Sequence, residues 1–208
     1  MILSKEYYNF FTKKQLNNCV RIKDIFYLSK EISDEPENEK ILSLTKRGII
    51  ERDISKNEGQ LPESFKEYNK IKKGDIVLNP MDLISGWVDI SGISGLISPS
   101  YKVLRSKFEI NPDYFCYQLQ RYYKEKILFH FGEGVSYQYR WGLNNSILMN
   151  FPIMNTSLTE QNKIVDRIKN EQIKIKNDID IYESKIKILE ELMESISYEQ
   201  FLNSSQDE

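Results

Sequence analysis

Histidine is almost missing from this 208-residue chain, where His130 stands alone. One imidazole between Phe129 and Phe131 builds no His/Cys metal cluster, and no G-x-S-x-G turn accompanies it to support a serine triad. Cysteine is nearly as scarce. Cys19 and Cys116 lie far apart and outside any C-x-x-C spacing, so reduced thiols in a cytoplasmic chain are expected. No apolar run approaches the roughly 18 residues of a membrane span. The start, Met1–Lys14, lacks the apolar core and small-residue cleavage site of a signal peptide. Net charge is only −2, which argues against a generic, purely electrostatic nucleic-acid binder.

Catalytic motifs are missing as well. Gly132-x-Gly134 lacks the third glycine of a dinucleotide loop, and no Walker A sequence exists. Asn79-Pro80-Met81-Asp82 lacks the second proline and the aromatic of an amino-methyltransferase motif. A nuclease site needs carboxylates converging on a metal near a lysine. Glu183-Ser184-Lys185 has the residues but lies in a heptad helix, and Asp53-Ile54-Ser55-Lys56 is one residue too long. The chain is therefore not expected to be an enzyme, and no cofactor or metal is expected.

What is present is a foldable chain, 40% hydrophobic and 29% charged, with 13 Tyr and 10 Phe. Aromatics fill cores and also supply stacking, hydrogen-bonding tips. Charge is unevenly placed. The tail from Leu158 and the stretch Glu31–Glu39 are acidic, whereas residues 40–73 hold 9 Lys+Arg against 5 Asp+Glu.

The expected fold class is α+β: a mixed α/β domain over 1–157, then one long C-terminal coiled-coil helix over 158–197 and a disordered tail over 198–208. Short β-type runs recur between turn signals at Val20–Tyr27, Lys40–Thr45, Ile76–Asn79, Gly86–Ser91 and Tyr101–Arg105. Lys73-Gly74-Asp75 is a turn, and Ser91–Gly95 a tight connection. Asn111-Pro112-Asp113 opens a helix running through Phe131, stopped by Gly132. Val135–Arg140, a Trp141-Gly142 break and the apolar run Ile147–Phe151 follow.

The tail carries the strongest pattern. It has no Pro or Gly, and Ser157 to Glu160 fits a capping box. With Leu158 as heptad position a, the a residues are Leu158, Val165, Gln172, Ile179, Ile186 and Met193. The d residues are Gln161, Ile168, Ile175, Tyr182, Leu189 and Ile196. The register never slips. A helix of this extent runs about 58 Å at 1.5 Å per residue, too long to bury its seam on one domain of this size. It needs a second helix, from another copy or a partner; folding back on its own domain is the alternative. Ile164, Ile173, Ile181, Ile188 and Leu192 lie off the seam and mark a second buried face. Gln172 mid-seam fixes register at some cost in stability.

Three stretches resemble the specificity (S) subunits of type I restriction-modification systems: Ile41–Ile50; Lys73–Leu83 continuing through Gly86 to Leu104; and Phe151–Gln161 leading into the long helix. Met154-Asn155-Thr156 replaces the more usual prolines. The resemblance covers about residues 20–197 of the sequence. It implies a target-recognition domain, a helical spacer on which methyltransferase subunits dock, and restriction subunits reached through them. It also implies no catalytic residues. Family members usually carry two recognition domains and two antiparallel helices; one set implies a half-subunit that dimerises with a second copy or another half-subunit, or else a truncated, silent form. Identical halves would read an inverted repeat in double-stranded DNA, held on the order of one helical turn, roughly 34 Å, apart.

Arg, Lys, Asn and Gln read base edges, and any donor holds phosphate. The expected DNA-binding residues are Lys46, Arg47, Arg52 and Lys56 around the turn at Gly48, and Ser136, Tyr137, Gln138, Tyr139 and Arg140 after the glycine break. In that second group Gln138 suits adenine and Arg140 guanine. Tyr101, after Ser98-Pro99-Ser100, is a further candidate. Two other functions compete: a coiled-coil adaptor that binds protein and not DNA, and a standalone endonuclease.

Overall fold

The structure, a computed structural model, describes residues 10–53, 64–135 and 140–204. It divides into two compact units, Met1–Asn162 and Lys163–Glu208. Among the described residues, the first unit holds two four-stranded sheets and two two-stranded ribbons.

One ribbon pairs β1 (Cys19–Arg21) with β12 (Pro152–Met154). It follows α1 (Lys13–Asn17), which is capped by the Thr12 hydroxyl. The expected strand Val20–Tyr27 is not continuous. The Asp24 carboxylate accepts from the Arg21 amide at 2.8 Å, which closes a helical turn, α2 (Ile22–Ile25), and buries Ile22 and Ile25 together. The chain then extends again as β2 (Phe26–Ser29).

β2 edges the first sheet. The second sheet begins with the hairpin of β3 (Ile41–Thr45) and β4 (Gly48–Glu51), followed by β5 (Asn69–Ile71). The chain returns to the first sheet with β6 (Ile76–Leu78) and β7 (Val88–Ile90), crosses to the second with β8 (Gly95–Ile97), and closes the first with β9 (Lys102–Ser106). The orders are β2-β9-β6-β7, antiparallel throughout, and β4-β3-β8-β5, in which β3 and β8 are parallel. Each run of apolar residues has a structural reason. β6 lies between two neighbours and is buried at every position. Val77 and Val103 of the first sheet meet Leu42, Ile71 and Ile97 of the second, all at 3% exposure or less. The other face of the second sheet buries Ile41 and Leu96 under Tyr68, whose ring stands edge-on to Phe65.

α3 (Pro112–Lys124) starts at Asn111, whose side chain accepts from the Tyr114 amide. It buries Tyr114, Phe115, Leu119, Tyr122 and Tyr123, with Phe115 edge-on to Phe26 at 5.4 Å. The expected helix through Phe131 ends early. Lys126 takes a φ of 58°, a left-handed value that breaks the i to i−4 ladder. The turn lets Ile127 and Leu128 bury before a 3-10 turn at Leu128–Phe131. The expected break at Trp141-Gly142 is instead a strand: β10 (Glu133–Val135) pairs with β11 (Arg140–Gly142). α4 (Asn145–Asn150) follows.

The long helix is α5, Leu158–Ser204, 47 residues or about 70 Å. The Ser157 hydroxyl accepts from the Glu160 amide at 3.4 Å. Gln161, a d position in the heptads, is buried. Its side chain accepts from the Asn111 amide at 2.9 Å and donates to the Thr156 carbonyl at 2.9 Å. It therefore fastens the start of the helix rather than opening a seam. From Glu171 to Tyr198 every side chain is exposed.

Candidate nucleic-acid interface

Lys46 and Arg47 form the exposed tip of the β3–β4 turn. The Thr45 hydroxyl donates to the Gly48 carbonyl at 2.9 Å and accepts from the Arg47 amide at 3.1 Å. Gly48 has a φ of +112°, which a side chain resists. The backbone is thus held while, among the described residues, both cationic heads stay outside the ion pairs of the unit. Arg52 lies apart from them. β4 runs back along β3, and the Arg52 amide donates to the Ile41 carbonyl at 2.8 Å. That is the far end of the hairpin, about 13 Å along the strand. Lys56 lies outside the described residues.

Ser136, Tyr137, Gln138 and Tyr139 also lie outside the described residues, as does the side chain of Arg140. The ribbon that brackets them is in place. Val135 pairs with Arg140, and Trp141 next to it donates from its indole to the Phe129 carbonyl at 2.7 Å. Tyr101 is half-buried against the core cluster around Val103.

Two clefts, of about 440 and 630 Å³, share Lys102 and Asn145. Tyr101, Lys30, Lys66 and Glu67 line the first. Glu133, Gly134 and Gly142, the base of the β10–β11 ribbon, line the second. The clefts therefore bring Tyr101 and the stem of the 136–139 segment to one surface. Both have the size of small-ligand sites, but three lysines among their ionisable groups suit phosphate better than acid–base chemistry.

Four other cations are neutralised locally. Lys40 pairs with Glu51 at 2.5 Å, Lys70 with Glu39 at 2.5 Å and Lys72 with Glu31 at 2.8 Å. Arg105 makes two parallel bonds to Asp75, at 2.9 and 2.7 Å, and a third to Glu31. Hydrogen bonds from Lys72 and Arg105 hold the Glu31 carboxyl below the usual range, and Lys70 does the same for Glu39. The acidic stretch Glu31–Glu39 and the basic stretch 40–73 are thus partly one network. Burial pushes the Cys19 thiol up to about 11 and raises that of Cys116 as well. Both thiols are free. Among the described residues, no group of three or more His, Cys, Asp or Glu could hold a metal ion, and no helix is long and apolar enough to cross a membrane.

No family model and no curated protein matches the sequence. The fold does resemble a solved structure: the type I restriction-modification S subunit from M. genitalium, with a TM-score of 0.50 and 15% identity over 76% of this chain. The chain has an S-subunit fold. The HsdS subunit from Thermoanaerobacter tengcongensis is also similar, with a TM-score of 0.47 and 14% identity over 76% of this chain and 37% of that one. The chain spans 40% of the length of the M. genitalium S subunit. The S-subunit fold accounts for the order seen here, a strand-rich unit followed by a long helix.

Proposed function

We infer that this chain is a specificity subunit of a type I restriction-modification system. Its strand-rich unit reads DNA, and its long helix sets the distance between two reading units and docks methyltransferase subunits, through which restriction subunits are reached. It performs no chemistry of its own, takes no cofactor and works in the cytoplasm. The observation that carries this reading is an S-subunit fold over 76% of the chain.

The helix adds independent support. Its seam residues Ile175, Ile179, Tyr182, Ile186, Leu189, Met193 and Ile196 are 47–68% exposed. A second helix, from another copy or another half-subunit, is the expected cover for that seam. A two-fold pair then reads an inverted-repeat site. The off-seam residues Ile173, Ile181, Ile188 and Leu192, also exposed, are the expected docking face for the methyltransferase.

The test is co-purification with a type I methyltransferase subunit, followed by mapping of methylated sites. A split, symmetric methylated sequence is the expected result. Arg140→Ala should relax or weaken specific binding with the fold intact, and unchanged affinity at constant salt removes Arg140 from the reading surface. Retention on DNA should fall steeply with salt. A chain that binds protein but shows no salt-sensitive DNA retention is the coiled-coil adaptor instead.

A further inference from the structure

We propose that Lys30, Lys66 and Lys102 form a phosphate track along the two joined clefts, on which one strand of a DNA duplex lies. This rests on the DNA-reading function above and assigns it contacts that the sequence pattern did not single out.

Strand register is the first argument. Ser29 faces Val103 as the last pair of the β2–β9 ladder, and Lys30 and Lys102 flank that pair, one on each chain segment. Both lysines line the first cleft. Among the described residues neither has an acid partner, although the same unit places acids on Lys40, Lys70, Lys72 and Arg105. Two cations on the wall of one cleft, without a carboxylate partner, suit an anion from outside.

Topology extends the track. β3 and β8 run parallel, with Leu42 beside Ile97, and β5 runs against them, with Asn69 beside Ile97. The segments after β3 and β8 and before β5 therefore leave the same end of the second sheet. That end gathers Lys46, Arg47, Lys66 and Tyr101. Lys102 follows Tyr101 and lines both clefts, which carries the positive charge toward the β10–β11 ribbon. Glu67 and Glu133 are the acids on these walls, one in each cleft, so lysine dominates the first.

The experiment measures binding of the full chain to duplex DNA between 50 and 200 mM salt. Each phosphate contact contributes a slope of about −0.9 in log affinity against log salt, or roughly 3.5-fold in affinity across that range. The Lys30→Gln/Lys102→Gln variant should flatten the slope by about two contacts, and Lys66→Gln by about one. Lys13→Gln/Lys14→Gln, on the exposed face of α1, should leave it unchanged. Glutamine keeps most of the stem, and the double variant should melt no lower than the wild type because a like-charge pair is removed.

A steep wild-type slope that survives in Lys30→Gln/Lys102→Gln overturns the track and leaves the DNA-reading function standing. An equal loss in Lys13→Gln/Lys14→Gln also overturns it, because the effect is then one of net charge. A wild-type chain without salt-sensitive binding refutes the function, and the track with it.

Discussion

Replacing Arg105 by methionine tests the ion network that joins the two sheets. The guanidinium donates twice to Asp75, whose side chain is 5% exposed, while its own is 16% exposed. Breaking a buried pair from one side costs about 3–5 kcal/mol, because the remaining charge stays buried. Two features pull the expectation to the low end. Asp75 keeps a hydrogen bond from the Lys72 amide at 2.8 Å. Glu31, the other partner, is 36% exposed and keeps Lys72, so its share is that of a surface pair, about 0–1 kcal/mol. The expected loss for Arg105→Met is thus about 3 kcal/mol, a large part of the 5–15 kcal/mol typical of a domain. Adding Asp75→Asn removes the stranded charge and keeps an acceptor for the Lys72 amide, so the double variant should recover about 2 kcal/mol of that loss. Urea unfolding followed by tryptophan fluorescence is the suitable assay, because Trp87 and Trp141 both lie in the first unit. A single variant within about 1 kcal/mol of wild type would refute the reasoning, as would a double variant no more stable than the single.

Three further outcomes are expected. Glu39 titrates below its ordinary value of 4.5 because Lys70 donates to it. It therefore adds stability above that value, and this stability is lost as pH falls through the lowered one. Glu39→Gln should flatten the decline in stability between about pH 5 and 3, and an unchanged acid limb in urea titrations at each pH would contradict this. Ile179→Asp, at a seam position 50% exposed, should leave the fluorescence-monitored unfolding of the first unit within about 0.5 kcal/mol. If the helix pairs as proposed, light scattering should show the variant shifted to monomer, because a buried unpaired carboxylate opposes such a pair; a retained dimer places the contact elsewhere. Gly95→Ala puts a Cβ 2.5 Å from the Lys40 carbonyl and 3.0 Å from Leu42. Overpacking here should cost about 1–3 kcal/mol in the same urea assay, and a neutral result would mean that β3 and β8 separate easily.

The long helix was legible because its signal is local and repeated. Apolar residues recur every three to four positions from Leu158 onward, so a few errors cannot erase the period. The run Ile76–Leu78 was legible for a different reason: three consecutive apolar residues bounded by a Gly-Asp turn fit a strand buried on both faces. β8 was hidden behind the glycines of Ser91–Gly95. It is three residues long, too short for periodicity, and its identity rests on pairing with β3 and β5, which are distant in sequence. The end of α3 depended on one left-handed residue, Lys126, that carries no sequence mark. The site was less legible than the fold. The cluster expected at Gly48 ignored that the strand after the turn carries Arg52 away from it. Lys30, Lys66 and Lys102 look like ordinary surface lysines until the fold brings them to the wall of one cleft. The acids that neutralise Lys70 and Lys72 come from a stretch more than thirty residues earlier, so net charge by segment overstated the free positive charge.

The β1–β12 ribbon fixes Cys19 beside Met154 and Arg21 beside Pro152. Everything that carries the clefts and the β3–β4 turn is looped out between those two short strands. A stretch of chain that departs and returns at adjacent points can be exchanged for another of different length and content without moving its attachment, much as a domain inserted where the ends meet is tolerated. Under the proposed function, what the clefts recognise can therefore change while the stub that leads to Ser157 stays as it is.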